Sequence, residues 1–186
     1  MTALRRCGIF LGLCSVSFAQ HLPRPCADFP IKTSDGKTIR ILKYHGKVVM
    51  IIMMKTDCSA CHEMLETLSQ WQTEWQPRGF QVLAFTIDDK DTNVVPYAER
   101  YRFPFPVAYL RSDAAIKLAD LNKTASPVVP YVMLVDWKGD VRFQYPANHP
   151  ILSQGVQAIR GIADGLLRQA ADKSGPTLKT VPAGKQ

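Results

Sequence analysis

The most distinct hydrophobic pattern in the chain is residues 47–54, KVVMIIMM, a nearly unbroken apolar run rich in Val and Ile. Such a run predicts a strand buried on both faces, in the middle of an α/β sheet. The period then changes. Met64, Leu65, Leu68, Trp71 and Trp75 recur at helical spacing, and Gln76-Pro77-Arg78-Gly79 ends the helix. Residues 80–87, FQVLAFTI, predict a second buried strand, and residues 88–101 a loop and helix. Alternate prolines in Phe103-Pro104-Phe105-Pro106-Val107 forbid a helix there and leave a short extended piece.

Downstream, residues 113–121 fit a short helix. Residues 131–136 (YVMLVD) and 141–145 flank a Trp137-Lys138-Gly139-Asp140 turn as an antiparallel pair. A closing helix is expected from Pro150, with Leu152, Val156, Ile159, Ala163, Leu166 and Ala170 as its apolar stripe. Near the start, two short runs within residues 29–42 flank Ser34-Asp35-Gly36-Lys37 and read as a hairpin. Strands alternating with helices, then a hairpin and a last helix, imply an α/β fold: a mixed central sheet covered by helices on both faces, with an N-terminal β-hairpin extension.

The first residues follow another logic. Arg5 and Arg6 precede about a dozen apolar residues, and Ser17 and Ala19 are small, the pattern of a secretory signal (1–19) cleaved before Gln20. The apolar stretch is short of the ~20 residues needed to span a bilayer, so a permanent anchor is disfavoured. That leaves one domain over residues 20–171 and a basic tail over 172–186. Twenty-three Lys and Arg against sixteen Asp and Glu give a charge of +7, but the cations are scattered, which argues against nucleic acid as a partner. Export to an oxidising space makes a close cysteine pair either a staple or a redox couple.

Cys58-Ser59-Ala60-Cys61 is that pair, placed where the first buried strand gives way to the helix. Free amides and the positive dipole end of a helix N-terminus favour thiolate there, lowering a Cys pKa from ~8.5 toward ~3.5 to 7.5. Cys58 is expected to attack and Cys61, one turn in, to resolve the mixed disulfide. A static bridge across four residues would constrain the unfolded chain little. Two other chemistries share these residues. With His62 the motif spells C-x-x-C-H, the pattern for covalent c-type haem attachment, and Cys58 and Cys61 with a distant His45 or His149 could form a metal-binding chaperone. The residues before Cys58 lack the Pro and Thr pattern of a peroxidatic cysteine, and Met50, Met53 and Met54 read as core filling rather than copper ligands. Cys26 is left unpaired.

The chain resembles the thioredoxin-like superfamily, specifically the exported TlpA/ResA-like thiol-disulfide oxidoreductases. The resemblance rests on Ala27-Asp28-Phe29, Asp35-Gly36-Lys37, Gly46-Lys47-Val48-Val49, Thr56 through Cys61, and Val129-Pro130-Tyr131 followed by Leu134-Val135-Asp136 and Gly139. It implies a thioredoxin-like fold, with Pro130 cis beside the cysteine pair and Val129 offering its backbone to a partner strand. Asp57, Ser59 and Ala60 would complete the partner-binding surface. The implied partners are exported thiol or disulfide proteins and a membrane-bound dithiol donor, with no metal or organic cofactor and a bias toward acting as a reductant, for instance in cytochrome c maturation. Three positions depart from the pattern. Asp57 replaces a tryptophan, Ile52 stands where thioredoxins carry a buried acid, and Met64 stands where ResA-like members carry a glutamate, with Glu63 next to it expected to point elsewhere.

Overall fold

The computed structural model describes residues 22–87 and 91–174. The expected signal segment, Asp88–Lys90 of the loop before the second helix, and the tail beyond Ser174 lie outside the described residues. The chain runs β1 (Arg24–Pro25), β2 (Ile31–Lys32), β3 (Thr38–Ile39), β4 (Val48–Met54), α1 (Ser59–Trp75), β5 (Phe80–Thr86), α2 (Val94–Tyr101), β6 (Val107–Tyr109), α3 (Ser112–Ala119), β7 (Tyr131–Val135), β8 (Asp140–Tyr145) and α4 (Arg160–Ser174).

Six strands form one mixed sheet in the order β1-β8-β7-β4-β5-β6. β4, β5 and β6 are parallel, whereas β7 runs antiparallel to β4 and β8 to β7. β4 lies in the middle with all seven residues buried, as a non-alternating apolar run requires. Val48, Met50, Ile52 and Met54 face one layer, where α1, α2 and α4 pack. Val49, Ile51 and Met53 face the other, covered by α3 and the segment that carries Cys26, Ile31 and Ile41.

The α1 stripe is buried throughout: Met64, Leu65, Leu68, Trp71 and Trp75. Gln72 shares that face because its Oε1 accepts the N–H of Val82 at 2.7 Å, fastening the end of α1 to β5. Arg160 lies 4.6 Å from the Trp75 ring centroid and pairs with Glu74, which joins α4 to the same end of α1.

Three expectations need correction. The N-terminal hairpin is only two residues per strand, and Ile41–Tyr44 forms a 3-10 turn instead of strand. Arg24–Pro25 pairs with β8, an edge that the sequence pattern missed because two residues carry no period. The closing helix begins at Arg160, ten residues after Pro150; Leu152–Gln154 and Val156–Ile159 are separate 3-10 turns. Gly155 between them has φ +81°, a left-handed conformation that no α-helix continues through. The helix also extends to Ser174, so the first residues assigned to the tail are helical.

Replacing Gln72 by Leu keeps the size but orphans the buried Val82 N–H. Unfolding by urea is expected to show a loss of about 1–3 kcal/mol. An unchanged midpoint would mean that the bond contributes nothing to holding α1 on the sheet.

Candidate active site

Sheet register decides what meets at one end of the fold. Met53 pairs with Tyr131, so the chain entering β7 through Val129-Pro130 arrives where the chain leaving β4 turns into Lys55-Thr56-Asp57-Cys58. α1 starts there because Cys58, with extended backbone (φ −96°, ψ 104°), is its N-cap. The Cys58 Sγ accepts the N–H of Cys61 at 3.2 Å, the role a Ser or Asp oxygen usually fills. The first turn contains no acidic side chain, so nothing on the helix offsets its positive end there.

Cys58 and Cys61 form a disulfide with their Cα atoms 5.2 Å apart. The two sulfurs are unequal. Cys58 is half-buried, whereas Cys61 is wholly inaccessible among the α1 core residues. An incoming group can therefore reach only the Cys58 side of the bond.

The Val129–Pro130 peptide is cis, and Pro127 is the buried trans neighbour of the two. Between α1 and this turn lies a groove of about 590 Å³. Ala60, Glu63, Met64 and Thr67 line one side, Val129 and Pro130 the floor, and Ala147 with residues of 152–157 the far wall. The structure thus brings Ala60, Val129 and Pro130 together. Asp57 and Ser59 are exposed beside Cys58 and outside the groove lining. Glu63 is exposed where Met64 is buried, as the helix pattern suggested, yet both reach the groove lining, as i+3 and i+4 neighbours of Ala60. The far wall was hidden from sequence reasoning by the assumption of one continuous helix from Pro150. Its only signal was Gly155.

His62 is not simply solvent-facing. Its Nδ1 shares a 3.2 Å hydrogen bond with the Tyr97 hydroxyl, its Nε2 lies 3.4 Å from Glu66, and its ring sits 4.0 Å from that of Tyr101. His45 is exposed before β4, at the opposite end of that strand from Cys58, and His149 packs on Tyr145. Among the described residues no group of three His, Cys, Asp or Glu is placed to hold a metal ion. Ile52 is fully buried, and the one buried carboxylate among the described residues, Asp136, lies at the far end of β7, where it accepts from Lys138 N, Asp140 N and Arg142.

The AhpC/TSA family model matches residues 23–144. The chain belongs to the AhpC/TSA family. Within the AhpC/TSA family's reach, a thiol-disulfide oxidoreductase ResA from Geobacillus thermodenitrificans is 27% identical over 115 residues, 62% of this chain and 63% of that relative. A probable glutathione peroxidase 8 from Mus musculus is 28% identical over 79 residues, 42% of this chain and 38% of that one. The chain therefore spans less than two thirds of these relatives. In structure, it superposes on a thiol:disulfide interchange protein of the thioredoxin family from Chlorobium tepidum with a TM-score of 0.65, at 20% identity, covering 80% of this chain and 99% of that one. The fold of this AhpC/TSA member is thioredoxin-like.

Cys26, the remaining thiol among the described residues, is buried and donates weakly to the Ala27 carbonyl. Burial pushes it up to about 12 from 9.0, against the opposing pull of Arg24, and burial likewise raises Tyr131 from 10.0 to about 12. Both groups stay neutral in the folded chain at pH values where the unfolded chain ionises them. Stability therefore declines as pH rises from about 9 toward 12. With Cys58 and Cys61 kept paired, the urea midpoint is expected to fall over that range, and less steeply in Cys26→Ala. An identical slope in that variant would remove Cys26 from the account.

Proposed function

We propose that the protein is an exported thiol-disulfide oxidoreductase, with Cys58 as the reacting sulfur and Cys61 as the resolving one. The observation that carries the reading is the asymmetry of the pair: a reachable sulfur capping a helix and a shielded one three residues on. The names of the ResA relatives support the same chemistry.

In the reducing direction, the Cys58 thiolate attacks one sulfur of a partner disulfide, forming a mixed disulfide and expelling the partner's other sulfur as thiolate, which takes up a proton. Cys61 then loses its proton and attacks the Cys58 sulfur, releasing the partner's second thiol. Two electrons pass to the partner and the Cys58–Cys61 bond re-forms. With Ile52 and Met64 where relatives carry acids, no buried carboxylate among the described residues stands at this end of the sheet, so water or exposed Asp57 or Glu63 accepts the Cys61 proton. Val129-Pro130 docks the partner backbone with Ala60, and Asp57 and Ser59 border the contact. No metal or organic cofactor enters this cycle.

The finer reading places residues 20–171 outside the cytoplasm after loss of a 1–19 signal. There the protein acts as a reductant of exported proteins, apocytochrome cysteines among them, and is recharged by a membrane-bound dithiol donor. Commitment of both His62 ring nitrogens to Tyr97 and Glu66 favours this reading over haem attachment at C-x-x-C-H.

Trapping tests it directly. Cys61→Ser is expected to accumulate mixed disulfides with exported proteins, released by dithiothreitol, while Cys58→Ser traps nothing. Failure of the first variant to trap, together with no turnover of a model disulfide protein by the parent, would end the enzyme reading.

A further inference from the structure

The groove beside the disulfide is almost free of charge. Its floor and walls are apolar or carry neutral hydroxyls and amides, and among the described residues Glu63 is the single charged one that lines it. Among the described residues the Glu63 carboxylate has no ion pair or side-chain hydrogen bond; only its backbone carbonyl is engaged, by Thr67. The next carboxylate along α1, Glu66, is instead turned to His62. A lone anion on an apolar wall, about a turn and a half of helix from the accessible sulfur, attracts a cation and repels an acid.

Helix geometry gives its reach. Glu63 lies five residues beyond Cys58, about 7.5 Å along the axis at 1.5 Å per residue. In an extended segment, side chains two residues apart share a face and are separated by about 6.8 Å. The axial offset is of that size, while the rotation of about 140° over five residues sets Glu63 on the groove wall, where it faces a segment docked along Val129 rather than the sulfur itself. We propose that Glu63 selects the partner of the exchange reaction, and that the segment it favours is an extended stretch with Lys or Arg two residues from its reactive cysteine. This deepens the thiol-exchange reading and rests on it.

The test uses short blocked peptides whose cysteine is joined by a disulfide to 5-thio-2-nitrobenzoate, with Lys, Gln or Glu placed two residues before or two residues after it. Reduced protein converts each to free peptide thiol and coloured thionitrobenzoate, and Cys58 and Cys61 become the disulfide, so the two electrons balance. Each rate is divided by the same peptide's rate with dithiothreitol, which removes intrinsic reactivity. For an exposed ion pair, the Lys peptide is expected to outrun the Glu peptide by up to about fivefold in one of the two placements at low salt. Glu63→Gln should bring that ratio to about one, Glu63→Lys should invert it, and Glu66→Gln should keep it. A ratio unchanged in Glu63→Gln, or lost equally in Glu66→Gln, overturns the assignment. Equal rates for all peptides sink this inference and leave the exchange chemistry standing. No reaction with any peptide, nor with the small symmetric disulfide of the same chromophore, would overturn both.

Discussion

The antiparallel pairing of β7 with β4 is the constraint on which the site depends. Parallel neighbours alone would put every strand exit at one end and every entry at the other. Reversing β7, in the register Met53 opposite Tyr131, sets its entry beside the exit of β4. The cysteine motif follows the exit and the cis proline precedes the entry. Two stretches about seventy residues apart in sequence thereby share one end of the sheet, and the backbone ladder between Val49–Met53 and Tyr131–Val135 holds them there.

The same strand supplies the stiffness. β4 has no solvent-facing residue, so both layers of side chains grip it, and its last residue fixes where the Lys55–Asp57 turn begins. α1 is anchored along its length by Leu65, Leu68, Trp71 and Trp75, and at its far end by Gln72 on Val82. Its first turn is exposed at Ser59 and Ala60, and beyond it the outward face, with Glu66, Gln70, Thr73 and Glu74, meets solvent. Chemistry and fold therefore divide along one helix: dipole and sulfur at the first turn, packing along the inward face beyond it. Folding energy that ordinarily closes a helix N-terminus with a hydroxyl or carboxylate is here entrusted to a sulfur that can change its bonding.

Long periodic elements were legible in the sequence because burial leaves a strong pattern. The all-buried β4 and β5, the α1 stripe, and the β7–β8 hairpin all stand where their residues indicated. The cysteine pair was legible too, since a strand-to-helix junction shows in a change of period. Elements stabilised by tertiary contact rather than by their own period were not. Arg24–Pro25 becomes a strand because β8 offers an open edge, and Arg24 is tied to Gln144 and the Leu118 carbonyl. What Glu63 faces was not legible for a related reason. A helix face has meaning only against its neighbour, and the neighbour, residues 147–157, had been assigned the wrong shape.

That shape matters for what the site can accept. A continuous α-helix from Pro150 would run past α1 as one straight rod with Gly155 in its interior. Two 3-10 turns split at Gly155 instead bring Leu152, Ser153, Val156 and Gln157 to the same groove wall, opposite Ala60 and Met64. An extended apolar segment laid on the Val129 backbone would meet both walls at once. Apolar walls are non-directional and tolerate many sequences. Discrimination therefore falls to whatever polar group is set into them, and among the described residues lining this groove the only group with a full charge is the Glu63 carboxylate.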